Sequence, residues 1–119
     1  MILAAISCTM CVYICPDGSA YTKTSWMSEE RPLGPMDIER LTITFENEKS
    51  VRIDLDNRQE LHGRYASDKT TATLNNLQIE LDGLTVTFIE AHMSSEETLF
   101  LLWQVEDMLY PFTTALHRN

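Results

Sequence analysis

Residues 41–57 read "LTITFENEKSVRIDLDN". Leu41, Ile43 and Phe45 alternate with Thr42, Thr44 and Glu46; Val51, Ile53 and Leu55 alternate with Arg52, Asp54 and Asp56. A period of two places successive side chains on opposite faces, so each run is a strand with one apolar and one polar face. The link between them is short and polar, which predicts a hairpin. The fold class follows from how often this pattern recurs.

It recurs to the end of the chain. "ELHGRYAS" (60–67) carries Leu61 and Tyr65 on one side with Gly63 between them, where a glycine marks a bulge or sharp bend. "TATL" (71–74) and "LQIELD" (77–82) follow, and Asp82-Gly83 is a tight-turn signal. "LTVTFIEAHM" (84–93) points Leu84, Val86 and Phe88 inward, then changes side near Ile89 to Ile89, Ala91 and Met93, which predicts a bulge. Upstream, "AYTKTSWM" (20–27) is rich in β-formers, and "SEERPLGPMD" (28–37) reads as a loop because Pro32 and Pro35 cannot sit in an internal strand.

One region admits two readings. In "SSEETLFLLWQVEDMLYPF" (94–112), Ser94 and Glu97 fit a capping box and Pro111 would end a helix, giving an α+β alternative with a helix at 95–109. The same residues fit a strand "TLFLLWQV" buried on both faces, followed by a last strand "FTTALHR". A helix over Leu99–Met108 would be apolar nearly all round in its first half, which suits a small β-protein poorly. The strand reading is preferred. The expected fold is all-β: an up-and-down antiparallel meander of about eight strands closing into a small barrel, since closure removes exposed edges.

Composition sets limits on function. The chain has 119 residues, 44% of them hydrophobic, enough for one domain with one core. A net charge of −9 with no basic cluster argues against nucleic-acid binding, which rests on Lys and Arg. All three cysteines, Cys8, Cys11 and Cys15, lie in "ILAAISCTMCVYIC" (2–15), a run with no charge that is shorter than the about 20 apolar residues of a spanning helix. Two readings of residues 1–17 stand. "LAAISC" has small residues leading to Cys8, as in a lipobox whose cysteine is lipidated after cleavage. Alternatively Thr9 to Ile14 form a first strand before the Pro-Asp-Gly turn. Residues 18–119 form a single barrel domain in either case. Three closely spaced thiols are one short of a closed tetrahedral zinc site, so no metal is expected.

Together, "LAAISC", the early Trp26, the "LTITFENEKSVRI" and "LHGRYASDKTTATL" hairpins and the terminal "LLWQVEDMLYPFTTALHR" resemble small lipocalin-like, or calycin-like, lipoproteins of the bacterial envelope. In place of the Gly-x-Trp of true lipocalins, Ser25 directly precedes Trp26. The resemblance implies a barrel and an envelope location, lipid-anchored or secreted, rather than an activity. A mature start at Met1 would instead imply a cytoplasmic protein.

No catalytic signature is present. The carboxylate pairs, including Asp54 with Asp56, read as solvated strand faces, and no G-x-S-x-G or glycine-rich phosphate loop occurs. His62 and His92 lie near predicted strand ends and would meet only if those strands were neighbours. The expectation is a non-enzymatic protein, without cofactor, that binds a small apolar ligand in the barrel mouth. Trp26, Tyr65 and Trp103 are the candidate lining residues. The alternative is an interaction or inhibitor protein whose acidic surface engages a basic protein partner. Neither membrane contact beyond a lipid anchor nor an oligomeric state is indicated.

Overall fold

The computed structural model describes residues 20–29, 38–56, 59–68, 70–81 and 83–119. The Cys8 lipobox, the alternative strand from Thr9 to Ile14 and the loop around Pro32 and Pro35 lie outside the described residues. Among the described residues nine strands run in chain order: β1 (Thr24–Met27), β2 (Leu41–Phe45), β3 (Ser50–Leu55), β4 (Gln59–Asp68), β5 (Thr71–Asn75), β6 (Gln78–Leu81), β7 (Leu84–Met93), β8 (Thr98–Val105) and β9 (Phe112–Arg118).

All neighbouring strands are antiparallel. β1 to β5 form a sequential meander, β7 to β9 form a second one, and β9 returns to β1 through Trp26–Arg118 and Met27–His117. β5 also pairs with β7 at Thr71–His92, Ala72–Ala91 and Thr73–Glu90. That contact closes eight strands into a barrel. β6 is a ninth strand that, among the described residues, pairs with β7 alone.

The expected registers are present. β2 and β3 form the predicted hairpin, with Ile43 opposite Ile53 and Phe45 opposite Val51. Residues 98–105 are strand, not helix. β8 differs from the reading in one respect: it is buried on one face only. Leu99, Leu101, Trp103 and Val105 point inward, while Phe100 is exposed and Leu102 half-buried on the outside. The bulge lies where the sequence places it: the β7–β8 register slips between Phe88 and Glu90, leaving Ile89 unpaired and turning Ala91 and Met93 inward.

Gly63 has a specific duty. A Cβ built there would lie 2.6 Å from both the Asn75 carbonyl oxygen and Leu77 Cγ. The missing side chain lets the chain leave β5 across β4 at Asn76, which has a left-handed φ of 62°, and turn into β6. Gly83 closes the β6–β7 turn with a φ of 81°, a conformation glycine adopts without cost.

The barrel interior is packed with side chains. Trp26, Ile43, Phe45, Ile53, Leu99, Leu101 and Leu116 are fully or almost fully buried, as expected of an eight-stranded barrel, whose bore is about one layer of side chains wide. Replacing Gly63 with alanine forces Asn75 or Leu77 to move, and overpacking of this kind costs about 1–3 kcal/mol. Urea denaturation of Gly63→Ala should show that loss at an unchanged m-value; a midpoint equal to the parent's would contradict the close approach.

Candidate functional site

The two ends of the barrel are built differently. At one end the β2–β3, β4–β5 and β7–β8 turns gather with the chain entering β1. There Tyr21 is fully buried. Its hydroxyl donates to the Thr70 carbonyl and accepts the Met93 N–H at 3.2 Å. One side chain thus ties the segment before β1 to β5 and β7, the two strands whose pairing closes the barrel. Tyr65 packs edge to face on both Tyr21 and Phe45, and Tyr21 meets Phe45 at a tilt of 53°, with ring centroids 4.8–6.3 Å apart. Tyr65 donates to the Asn47 carbonyl at 2.6 Å. Burial pushes the Tyr21 phenol up to about 12 and also raises that of Tyr65. Arg118 lies over the Trp26 ring, 5.4 Å from its centroid, and reaches the Glu96 carbonyl. This end is sealed.

The other end carries the β3–β4 and β6–β7 turns and the β8–β9 loop. On the β2–β3 side it is covered by Ile38, Leu41 and Leu55, all buried. Ser28 Oγ accepts from the Leu41 N–H, and Asp56 Oδ1 accepts from the Glu39 and Arg40 N–H groups, which holds the entry to β2 in place. On the β6–β9 side the apolar surface stays partly open. Leu61, Ile79, Leu81, Leu84 and Phe112 pack against the core but remain half-exposed. Cross-strand pairing makes those on β6 to β9 continuous, with Leu61 apart on β4: Leu81 faces Leu84, Ile79 faces Val86, and Phe88, Trp103 and Phe112 stand in one row. Trp103 stacks on Phe112 with centroids 4.8 Å apart, and its indole N–H donates to Thr114 Oγ1. Above this row the β8–β9 loop exposes Met108, Leu109 and Tyr110, with Leu109 84% and Tyr110 73% accessible.

The three aromatics singled out from the sequence are therefore separated. Trp26 and Tyr65 are buried towards the sealed end, and only Trp103 underlies the open one. Leu81, Leu84 and Phe112 were not among those candidate lining residues. The available signal was their place beside turns, where inward side chains have neighbours on one side only.

The polar candidates do not converge. Asp54 pairs with Arg52, which also reaches Glu46, and these form a solvated strand face. His62 contacts Glu60, with Nε2 2.7 Å from Oε1, and His92 contacts Thr71. The two histidines lie on β4 and β7, which β5 separates. A shallow open depression of about 270 Å³ beside Gly63 is lined by Glu46, Ser50, Val51, His62, Arg64 and Asn76. Among the described residues no cluster of ligating side chains could hold a metal, and no helix is long and apolar enough to cross a membrane. No family model matches the chain, and neither a curated protein nor a solved structure shows significant similarity to it.

The sealed end makes a pH prediction. The folded phenol of Tyr21 titrates above its unfolded value near 10, so the folded state holds the proton longer. Stability is full below pH 10 and falls as pH rises towards about 12. Tyr21→Phe removes the hydroxyl's bonds to Thr70 and Met93, whose main-chain groups remain bonded to each other, a loss of about 0.5–1.5 kcal/mol at neutral pH. It should also flatten the decline in stability above pH 10 by one proton's worth. Denaturant melts of both proteins between pH 7 and 12 check this; parallel curves would refute the assignment.

Proposed function

We propose that the protein is a non-enzymatic binding protein that takes a small apolar ligand at the open end of its barrel. The observation that carries this reading is the contrast between the two ends. One is closed by aromatic rings and hydroxyl bonds, whereas the other keeps Leu61, Ile79, Leu81, Leu84 and Phe112 partly in water. An apolar row with a few fixed polar groups is the usual chemistry of a small-molecule site. The ligand would rest on Phe112 and Trp103, and the packed interior beneath limits it to a shallow seat. Tyr21 and Tyr65, whose titrations burial displaces, bond to main chain at the sealed end, which supports a structural rather than a catalytic role for both.

The location proposed with this function is the cell envelope, secreted or anchored through a lipid at Cys8. Support comes from the charge-free run 2–15 and the lipobox-like "LAAISC". The barrel accords with the lipocalin-like resemblance. A second reading, a protein partner of basic character, draws support from the net charge of −9 and from exposed Leu109 and Tyr110 on one loop.

Titration with an uncharged solvatochromic dye such as Nile red, followed by amide shift mapping, tests the ligand reading. The expected result is saturable binding with shifts at Leu81, Leu84, Trp103 and Phe112. Leu81→Asp should weaken it by about tenfold or more, on the order of 1.4 kcal/mol. Absence of binding, or shifts confined to the outer face of β8, would overturn it.

A further inference from the structure

Among the described residues, no strand joins β4 to β6 in the barrel wall. β4 pairs with β3 along Gln59–Arg64 but with β5 only from Arg64 to Asp68. Beyond Asn75 the chain turns away at Asn76 and continues as β6, which pairs with β7 alone. From the pinch where Gly63 meets Leu77, two strand edges run to the open end with no strand between them among the described residues.

The polarity of these edges follows from the ladders. Tyr65 N–H donates to the Lys49 carbonyl, so alternate residues Gly63 and Leu61 also face β3, and the main-chain groups of His62 and Glu60 face the gap. Phe88 N–H donates to the Leu77 carbonyl, so Ile79 and Leu81 face β7, and the main-chain groups of Gln78 and Glu80 face the gap. Inward side chains along both edges are apolar: Leu61 on one, Leu77, Ile79 and Leu81 on the other. Outward side chains are Glu60 and His62 on one edge and Gln78 and Glu80 on the other, all exposed, with Arg64 near the pinch.

An unpaired edge is a template for another strand unless it is blunted by proline, lysine or a bulge. β6 is four residues long and carries no proline, lysine or bulge, and the guard it does carry, the charge of Glu80, repels acidic strands and admits basic ones. A second copy of this chain would bring another Glu80 and a further net charge of −9 to the same edge, which opposes self-pairing. Charge complementarity selects the other kind of occupant. We propose that the edge of β6 accepts an extended segment of a partner protein by strand addition. Apolar residues of that segment would face the barrel, and a lysine or arginine would face outward between Glu80 and Glu60. Affinity would come from main-chain hydrogen bonds to Gln78 and Glu80 and preference from the alternating side chains. This inference shares Leu61, Ile79 and Leu81 with the apolar mouth but rests on the main-chain edge at Gln78 and Glu80, which the ligand does not use.

The test uses the full chain and the synthetic peptide acetyl-TVTVKVTVT-amide. Hydrogen exchange comes first. The Gln78 and Glu80 amides should exchange rapidly in the free protein and be protected at least tenfold by millimolar peptide, with shifts at Glu60 and His62. The same peptide N-methylated at alternate residues, which cannot pair, should not bind. Glu80→Lys should weaken binding at least tenfold. Glu80→Pro should abolish protection at Gln78 at an unchanged melting temperature, since the lost N–H points away from β7. Three results would overturn the proposal. One is protection of these amides in the free protein, meaning the chain fills its own gap. Another is equal binding of the methylated peptide, meaning charge attraction alone. The third is no protection at millimolar peptide.

Discussion

Closure of the barrel depends on three residue pairs, Thr71–His92, Ala72–Ala91 and Thr73–Glu90. Every other neighbouring pair of strands in the barrel is adjacent in sequence, except the join of β1 with β9. A meander of local hairpins forms with short loop closures, but β5 can meet β7 only after β6 has been set aside. Three features make that detour. The left-handed Asn76 ends the pairing of β5 with β4, Gly63 admits the crossing of Leu77, and the bulge at Ile89 realigns β7 so that Ala91 faces inward at the contact. Tyr21 then fastens the result, because its hydroxyl bonds to Thr70 and Met93, the residues that flank the three pairs.

This arrangement explains why the molecule has two unlike ends. The closing pairs lie at the end where Tyr21, Phe45 and Tyr65 pack, and there the sheet is continuous. Towards the other end β6 has replaced β5 beside β7 and, among the described residues, has no partner strand on its far side. The inward residues of β6 therefore have a wall on one side only, whereas β7 stands between β6 and β8 and keeps Val86 and Phe88 buried. Half-exposure of Ile79, Leu81 and Leu61 is a geometric result of the split wall, so these residues of the apolar mouth and the strand edge share one origin, while Leu84 is half-exposed at the strand end beside the β6–β7 turn.

Much of this was legible in the sequence. Strict alternation in β2 and β3 identified the face of every residue, and the change of side at Ile89 marked the bulge. β8 was ambiguous because Leu99 to Trp103 are all apolar. On a twisted sheet Phe100 sits outside between His92 and Ala115, and Leu102 between Glu90 and Thr113, so an apolar outer face is partly covered by its neighbours. The strand order was legible as far as β5. The separation of β4 from β6 was not, because periodicity tells which face a residue takes and not which strand lies beside it. Gly63 and the Asn75-Asn76 break were the visible traces of that split. Aromatic type alone could not tell an open end from a sealed one, which is why Trp26 and Tyr65 stood beside Trp103 as candidates.

The central claim is that β5 and β7 join to close the barrel, and residue-resolved amide exchange of the intact chain tests it most directly. Because the Met93 N–H donates to the Thr70 carbonyl, the alternate residues Ala72 and Ala91 direct their amides at each other across the closure. The account predicts that these two amides exchange only through global unfolding, as slowly as the centre of the β2–β3 hairpin. Exchange of Ala72 and Ala91 at the rate of exposed loop amides, with β2 and β3 still protected, would mean an open sheet and would contradict it.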